Sequence, residues 1–524
     1  MKGIQIDAAA ATPLVRVTGD PKQLEFIKYD ITEVAYLLKQ NQHPVVFVMG
    51  PGGGRDVIAA LLYGAKSVDA ADINALMIDI VGKYFADYVG RIYDLPNVHV
   101  TVDDARSALR RSEKQFDVIQ SSMTDTWAAT AAGAFSLSEN SLYTRQAFDE
   151  YWDRLKDDGI LSFSRYLCTP PAQTLRVVAL ALACLEDNGI ENPEMHLAVL
   201  GSSPAATVIM KKSRFTFADI SLLHEAAKKL QYDVLYLPGV GGHETFKGLI
   251  ETDDRAAFYD DYPLDVSPPV DDRPFFFNLL KFKDVFRSLE GIRAQTANLY
   301  AQVSLLFIFI VYLVLFAVAT ILPLYLKNRS REPTDKVLPQ LLFFAAIGLG
   351  FMLVEISIMQ RMTLFLGHPT YSLVVVLLAL LLFSGVGSLL TSTVRRERLT
   401  KQLVGSALVV IGLLIVFAVI SQSVLDLFVS ASLGERVLVC ALALLPFGLV
   451  MGRMFPLGIK SLSSGTEHVI PWAWAINGLT SVLGSILAIM IGMWSGFTTC
   501  LIVAMVSYLV AVIAARAMKP ASTV

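Results

Sequence analysis

The sequence predicts an α/β domain with a mostly parallel sheet, followed by an all-α transmembrane domain of about seven helices. Short apolar strands alternate with helical segments through residues 1–295, the pattern of a parallel sheet covered on both faces. A glycine-rich turn lies between one of these strands and the helix after it. Residues 303–517 are largely apolar runs, and 54% of the 524 residues are hydrophobic, a fraction typical of multi-span membrane proteins.

We divide the chain into four regions on this basis. They are an N-terminal β element (1–30), an α/β domain (31–212), a C-terminal extension with a juxtamembrane linker (213–300) and a transmembrane helical domain (301–524). The net charge of −3 and the lack of a basic stripe predict no nucleic-acid partner. The four cysteines lie far apart and the histidines lack ligand spacing, so we expect neither a disulfide framework nor a metal.

Residues 45–72 carry the pattern around which the α/β domain is organised. The apolar run Val45–Met49 predicts a buried strand, and the glycines of residues 50–54 make a turn that bulky side chains could not make. A helix over 55–63 and a second strand ending at Asp72 follow. Because Asp72 lies about 20 residues past the turn, it can bind both ribose hydroxyls of a nucleotide-type ligand. The alternative is a tight turn that only packs the helix on the sheet.

Three strand ends in this region carry acids, which are Asp72, Asp104 and Asp125. Ligands of parallel α/β sheets lie over the carboxyl ends of the strands, so these acids are candidate binding residues. Acids at strand ends can equally be helix N-caps. The further strands are predicted over 98–102, 116–121 and 159–164, a closing hairpin over 196–200 and 207–211, and helices over 31–39, 75–85, 147–155 and 172–188.

Five sequence blocks then occur in a characteristic order. They are GPGGGRD, SVDAADIN, TVDDARSAL, FDVIQSSMTD and LYTRQAFDEYWDRLKDDGILSFSRY. In order and spacing they resemble the core of spermidine synthase and related polyamine aminopropyltransferases, over roughly residues 20–212. The resemblance implies the Rossmann-like fold of class I S-adenosylmethionine-dependent methyltransferases. The stretch PPVDDRPFFF (268–277), followed by apolar spans, is similar to the membrane-fused branch of that family.

The resemblance also implies a role for individual residues. Three glycines would approach the methionine-derived part of decarboxylated S-adenosylmethionine, or of S-adenosylmethionine itself. One acid would bind the ribose, and a second acid with its neighbour would lie at the adenine amino group; no metal is implied. In that order the residues are Gly50, Gly52 and Gly54, then Asp72, then Asp104 with Ala105.

The block that follows the fourth strand departs from the family. Aminopropyltransferases carry Asp-Ser-Ser/Thr-Asp there, and the first aspartate is assigned to accepting a proton from the attacking amine. This chain has SMTD over 122–125, so Ser122 replaces that acid and Asp125 is the remaining catalytic candidate. A serine hydroxyl cannot accept the proton unaided. Ser122 and Trp127 are the predicted amine-binding residues, and the alternative is a rebuilt, inactive pocket.

Seven apolar runs of about 20 residues each predict membrane-spanning helices. Glu355, near the end of the second run, is a candidate functional acid, because intramembrane carboxylates are rare. The alternative is a carboxylate wetted at the interface or paired with Gln360 or Arg361. The runs cover roughly 303–326, 338–358, 371–394, 402–422, 434–452, 473–493 and 497–516. Two prolines, Pro446 and Pro456, are expected to break the fifth run.

The sidedness of the α/β domain is predicted in two conflicting ways. Basic residues follow the first and third runs, so the positive-inside rule with seven spans places the domain outside the cell. Nucleosyl cofactors are made and kept in the cytosol, and four basic residues precede the first run: Lys281, Lys283, Arg287 and Arg293. We therefore expect an integral protein of a bacterial inner membrane with a cytoplasmic α/β domain.

Two functions of different classes fit these observations. The first is a membrane-anchored aminopropyltransferase-like enzyme that acts on a small-molecule amine. The second is a catalytically degenerate domain that serves as a binding or assembly module on a transporter-like or complex-forming membrane protein. Both expect the lipid bilayer as a partner, and the helical domain is the candidate surface for a membrane-protein partner or a homo-oligomer.

Overall fold

A computed structural model describes residues 2–6, 10–124, 139–284, 296–323, 326, 337–428, 431–462 and 469–518. These residues fall into two compact units, Met1–Gln302 and Val303–Val524.

The first unit contains an N-terminal hairpin and a nine-stranded sheet in its described residues. Strands β1 and β2 form the hairpin, and the sheet order is β11-β10-β8-β9-β7-β6-β3-β4-β5. The bounds are β1 Lys2–Ile6, β2 Ala10–Leu14, β3 Val45–Met49, β4 Ser67–Asp72, β5 Val98–Val102, β6 Phe116–Ser122, β7 Leu155–Tyr166, β8 Leu197–Ser202, β9 Ala205–Lys211, β10 Asp233–Leu237 and β11 Gly241–Gly242.

The strands β3 to β7 pair in parallel, and β8 to β11 extend the sheet in antiparallel fashion beyond β7. The chain passes from β3 to β4 and β5 on one side, then returns to β6 and β7 on the other side of β3. The carboxyl ends of β3 and β6 therefore adjoin at a topological switch point, where open α/β sheets bind their ligands. This confirms the predicted α/β architecture.

Helices cover both faces of this sheet. Alternate residues of β3 belong to different cores: Val46 and Val48 pack with α1, whereas Phe47 and Met49 pack with α3, α4 and α5, because side chains alternate across a strand. Burial on both faces explains the continuous apolar run that predicted the strand. The helix bounds are α1 Arg55–Leu62, α2 Ala75–Asp79, α3 Ala105–Arg111, α4 Arg145–Asp153, α5 Gln173–Asp187, α6 Phe217–Leu230, α7 Glu244–Glu251 and α8 Arg255–Asp261.

Several local predictions differ from the structure. Residues 24–28, expected to be extended, lie in the 3₁₀ helix Pro21–Tyr29, which begins with a proline at its first position and an Asp20 cap. The segment Ile31–Lys39 is also a 3₁₀ helix. The helix expected over 75–85 is α2 followed by a π-helical turn, Ile80–Tyr84. The strands β10 and β11, beyond residue 230, were not predicted.

The aromatic stretch Phe275–Phe277 belongs to the core of the first unit. All three side chains are buried there, and Phe276 stacks on Tyr143 with ring centroids 4.3 Å apart. The stretch forms no strand in the structure. These phenylalanines are therefore core residues of the first unit rather than a membrane-interface segment.

Seven helices in the described residues are long and apolar enough to cross a membrane, which agrees with the seven predicted runs. The seven helices are α9 Thr296–Phe316 with the π-helical continuation Ala317–Ile321, α10 Val337–Leu366, α11 Pro369–Leu389, α12 Leu399–Leu427, α13 Leu433–Ser461, α14 Ile470–Ser495 and α15 Phe497–Ala517. The helix α10 is the most buried of the seven.

The helices α10 and α14 approach each other closely through small residues. A Cβ at Gly348 would lie 2.5 Å from the Asn477 carbonyl oxygen, so only glycine fits there. Asn477 Nδ2 donates to the Phe344 carbonyl oxygen (3.0 Å), and Ser481 Oγ donates to that of Gly348 (3.3 Å). Small and polar residues of this kind hold membrane helices together.

The prediction that Pro446 and Pro456 break the fifth run is wrong, because α13 continues through both. The neighbouring helix α11 supports it at close range. Ser384 Oγ donates to the Gly448 carbonyl oxygen at 3.3 Å, and a Cβ at Gly452 would lie 2.3 Å from the Ser384 carbonyl oxygen. The helix α11 therefore packs closely on the stretch of α13 that lies between the two prolines.

Candidate functional site

The glycine turn joins β3 to α1 at the switch point. Gly50, Gly52 and Gly54 have φ of +67°, +52° and +85°, a left-handed conformation that side chains disfavour. At Gly53 a Cβ would lie 2.3 Å from the Pro13 carbonyl oxygen. The turn is thus fixed both by its own backbone and by the N-terminal hairpin against it.

The hairpin was predicted only as a separate β element, yet it contributes directly to the turn. Thr12 Oγ1, on β2, accepts a hydrogen bond from the Gly53 N–H at 3.0 Å. Nothing in the local sequence of residues 10–14 signals this contact. It depends on the chain folding back between two residues that lie 41 positions apart.

Asp72 ends β4 beside this turn, as predicted. Its Oδ1 accepts from the Asn74 N–H at 2.9 Å. Burial raises the pKa of Asp72, and the backbone N–H groups of Asn74 and Gly52 oppose that rise. The carboxylate therefore adjoins the glycines, and part of its hydrogen-bonding capacity is used by backbone groups.

Asp104 and Ala105 follow β5. Asp104 is the N-cap of α3, where its carboxylate accepts from the Ser107 N–H at 2.8 Å. Burial raises its pKa, opposed mainly by its hydrogen bonds with Ser107. The helix-cap alternative thus accounts for one carboxylate oxygen of Asp104, and Ala105 is buried at the start of the helix. Their contact with an adenine stays a prediction.

Ser122 ends β6 and belongs to a buried polar network. Its Oγ accepts from Gln120 Nε2 at 2.9 Å, and Gln120 Nε2 also donates to the Thr32 carbonyl oxygen at 3.1 Å. Gln120 Oε1 accepts from the Tyr36 hydroxyl at 2.6 Å. Because the Ser122 oxygen accepts from an amide, its own hydrogen is available to a further acceptor.

A buried acid at the start of α1, Asp56, was missed by sequence reasoning. Asp56 is the second residue of α1 and is 5% exposed. Burial raises its pKa, and the charge of Arg55 and hydrogen bonding by Ser122 oppose the rise. Arg55 Nε lies 3.5 Å from Asp56 Oδ1. The available sequence signal was the Arg-Asp dipeptide directly after the glycines, because an acid at the start of the helix lies close to the turn.

A second buried acid, Glu33, lies in the same network and was also missed. Glu33 is 0% exposed, and Thr32 Oγ1 donates to its Oε1 at 3.0 Å. Its pKa is raised well above the ordinary value, first by burial and then by the charge of Asp56. Arg55 is drawn toward Asp30, with 2.7 Å between Nη1 and Oδ2. Arg55 is therefore shared among three acids.

Tyr93, in the 3₁₀ helix Ile92–Asp94, faces the other side of the turn. Its hydroxyl oxygen is enclosed and has no hydrogen-bond partner among the residues that the structure describes. A Cβ at Gly54 would lie 3.8 Å from that oxygen. Burial, together with the charges of Asp72 and Asp56, raises the pKa of Tyr93 above its ordinary value.

The other predicted site residues lie apart from this group. Asp125 and Trp127 lie outside the described residues. Glu355 lies on α10 of the second unit, is 8% exposed and makes no hydrogen bond or ion pair with a described residue. Arg361, one of the two partners considered for Glu355, donates to Ser421 (3.2 Å) and Thr498 (2.8 Å). No cluster of three or more potential metal ligands occurs in the described ranges.

A parallel sheet with a glycine turn after β3, a helix start beside it and an acid at the end of β4 defines a Rossmann-like domain. Comparison with known proteins makes this class more specific. Residues 25–169 match the spermine/spermidine synthase domain family. The first unit thus contains a spermidine synthase-type domain, as the five sequence blocks indicated.

Curated relatives are polyamine aminopropyltransferases. That of Alkaliphilus oremlandii is 26% identical over 138 residues, which cover 26% of this chain and 45% of that protein. That of Bacillus subtilis is 26% identical over 137 residues, covering 26% and 46%. The chain therefore spans less than half the length of these relatives.

Similar solved structures include spermidine synthase from Thermotoga maritima. The match has 16% sequence identity and a TM-score of 0.28, and it covers 44% of this chain and 72% of that chain. A probable spermidine synthase from Corynebacterium glutamicum has 15% identity, coverages of 46% and 82%, and a TM-score of 0.31.

Proposed function

We propose that the α/β domain binds decarboxylated S-adenosylmethionine and transfers its aminopropyl group to a small amine, with S-adenosylmethionine as the alternative nucleoside that the same site would bind. The observation that carries the proposal is the adjacency of the glycine turn and Asp72 at the switch point of a spermidine synthase-type domain. The left-handed glycines leave the backbone open to a ligand, and Asp72 has two oxygens for two ribose hydroxyls.

The chemistry requires little from the protein beyond orientation and proton removal. The lone pair of the amine nitrogen forms a bond to the carbon attached to the sulfonium sulfur. The carbon–sulfur bond breaks, its electron pair stays on sulfur, and methylthioadenosine leaves as a neutral thioether. The nitrogen loses one proton on the way, so a carboxylate near it accelerates the step.

The nucleoside part of this proposal is tested by thermal unfolding of the detergent-solubilised full chain with S-adenosylmethionine, its decarboxylated form or methylthioadenosine. A ligand at 100 times its Kd stabilises the folded state by about 2.7 kcal/mol. We expect Asp72→Ala to abolish the shift. Asp69→Ala is the matched control, because Asp69 lies on the same strand and pairs with Lys114 instead (2.7 Å). No shift with any of the three nucleosides contradicts the proposal.

The second candidate function is a binding or assembly module, and the observation that favours it is Ser122 in place of the family's acid. Product analysis separates the two candidates. The full chain is incubated with decarboxylated S-adenosylmethionine and a panel of amines that includes putrescine and spermidine. A nucleoside that binds without product from any amine favours the module.

We also propose that the α/β domain faces the cytoplasm, where nucleosyl substrates occur. With seven membrane-crossing helices, the loop after the third helix then lies on the opposite side. Single cysteines at the exposed positions Glu225 and Arg398, in a chain whose native cysteines are replaced, report the two sides. In intact cells we expect an impermeant thiol reagent to label Arg398→Cys and not Glu225→Cys. Labelling of Glu225→Cys without permeabilisation contradicts this sidedness.

A further inference from the structure

We propose that Tyr143 is a positioning residue of the candidate site, which holds the SMTD segment (122–125) at the end of β6 against the glycine turn. The inference rests on the proposed function, because that function places the acceptor amine at the SMTD segment. It also gives the aromatic stretch Phe275–Phe277, which precedes the membrane-spanning helices in the sequence, a part in the site.

The SMTD segment contains a backbone conformation that its own residues do not favour. Met123 has a φ of +52°, in the left-handed region that non-glycine side chains disfavour. Its N–H donates to the Ser164 carbonyl oxygen of β7 at 3.2 Å. Non-glycine residues keep such a conformation only where their surroundings hold them in it, and such residues cluster at active sites. The segment therefore needs support from outside β6.

Thr124 joins the SMTD segment to the glycine turn. A Cβ at Gly50 would lie 2.8 Å from Thr124 Cγ2, so the threonine methyl group packs on backbone that carries no side chain. The Thr124 hydroxyl oxygen lies 3.1 Å from Ser121 Oγ and 2.9 Å from the Tyr143 hydroxyl oxygen. Thr124 is thus fixed between the glycine turn and Tyr143, and Asp125 is the next residue in the chain.

Tyr143 is itself held at both its ring and its hydroxyl. The side chain is buried, and its ring stacks on that of Phe276. Arg165 Nη1 donates to the Tyr143 hydroxyl oxygen at 3.0 Å, and the Arg165 guanidinium lies 4.9 Å from the centroid of the Phe277 ring. Because a guanidinium can only donate, the hydroxyl hydrogen of Tyr143 is available to Thr124 Oγ1. The packed core therefore directs one hydroxyl at the SMTD segment.

A hydroxyl in this place orients the SMTD segment and acts on the reaction only through it. The transfer requires the acceptor nitrogen in line with the carbon–sulfur bond, and a displacement of about 1 Å can cost about a hundredfold in rate. On the nucleoside side, Asp72 accepts from the Asn74 N–H at the end of β4. Loss of the Tyr143 hydroxyl should therefore slow the transfer and leave nucleoside binding unchanged.

Two matched variants of the full chain in detergent test this role. Tyr143→Phe removes the hydroxyl and keeps the stacked ring. Tyr236→Phe is the control, because Tyr236 belongs to the same core and its hydroxyl donates to the Glu194 carbonyl oxygen (3.4 Å), on β10. With decarboxylated S-adenosylmethionine and putrescine or spermidine, we expect kcat of Tyr143→Phe to fall about tenfold or more, while its Kd for methylthioadenosine stays within about twofold of wild type. The control should keep both values.

A double-variant cycle separates positioning through Thr124 from a general effect on the core. Thr124→Val removes the threonine hydroxyl and keeps a branched side chain against Gly50. If Tyr143 acts through Thr124, the double variant should have a kcat within about twofold of the slower single variant, because both changes break the same hydrogen bond. Losses in kcat that multiply would mean two independent effects and would overturn the inference.

Amide hydrogen exchange gives a second readout, which does not depend on turnover. Peptides that contain Thr124 should exchange faster in Tyr143→Phe than in wild type, and peptides from β10 should not. Unchanged exchange at Thr124, or a kcat of Tyr143→Phe within about twofold of wild type, would overturn the inference. The proposed function fails separately, when the wild type binds no nucleoside or forms no product, and the exchange result then decides whether Tyr143 holds the SMTD segment.

Discussion

The candidate site has two proposed halves on neighbouring strand ends, one for the nucleoside and one for the amine. The two halves are built by different means. The nucleoside half, after β3 and β4, depends on backbone: left-handed glycines and an acid at a strand end. The amine half, after β6, depends on side chains that converge from several segments, with Ser122 where the family has an acid. A left-handed backbone turn requires glycine at the positions of the turn itself, whereas a carboxylate side chain can be supplied by any element that reaches the site. The first half therefore keeps the family pattern, and the second does not.

The largest effect that would break this comparison is expected at the backbone of the nucleoside half. In Gly53→Ala a Cβ would lie 2.3 Å from a backbone carbonyl oxygen that cannot move independently. We expect a loss of about 2–3 kcal/mol in the free energy of unfolding and no detectable nucleoside binding, by calorimetry and thermal unfolding. Gly3→Ala is the control, because a Cβ there meets nothing within 4 Å. Normal nucleoside binding by Gly53→Ala would show that the turn is not required.

A second, smaller effect is expected from the side chains of the amine half. Asp125→Asn keeps the shape of the side chain and removes its charge. If Asp125 orients and deprotonates the amine, product formation should fall by about two orders of magnitude, while nucleoside binding stays close to wild type. The assay is product formation from decarboxylated S-adenosylmethionine and a panel of amines. Unchanged turnover would assign the whole proton transfer to another group.

The smallest of the three effects concerns the pH dependence of stability in the amine half. The folded-state pKa of Glu33 is raised by burial, so the contribution of its protonated form to stability is present below the unfolded value and lost as pH rises. Glu33→Gln is permanently neutral. We expect it to raise the unfolding free energy by about 1 kcal/mol at neutral pH, with the gain disappearing below about pH 4.

Denaturant unfolding across pH measures this gain. Glu25→Gln, an exposed carboxylate in the preceding 3₁₀ helix, is the control and should change nothing. A gain that is the same at all pH values would mean that Glu33 is not the titrating group.

The sequence predicted the parts of the fold that local patterns encode. The strands β3 and β6 contain short apolar runs bounded by turns, and both were predicted to within one residue of their observed bounds. The prolines of α13 misled the prediction, because the helix continues through both of them. The strand β10 was missed, because its sequence DVLYL acquires a strand identity only by pairing with β8.

The same distinction applies within the candidate site. The glycines and Asp72 were predictable, since a left-handed turn and a strand-end acid are written in neighbouring residues. The positions of Asp56, Glu33 and Tyr93 near the turn were not predictable, because each depends on contacts with residues distant in the sequence. Asp104 shows the intermediate case: its position was predicted, but its capping of α3 was one of two open interpretations.

The contact between Thr12 and Gly53 has a consequence for how related sequences can vary. A chain that loses the hydroxyl at position 12 must find another acceptor for the Gly53 N–H, and a side chain at position 53 must displace Pro13. The two positions are therefore expected to change together across related chains, although they lie 41 positions apart. The short N-terminal hairpin therefore constrains the sequence of the glycine turn that it covers. This constraint can be tested by counting paired substitutions in related sequences, without purifying any protein.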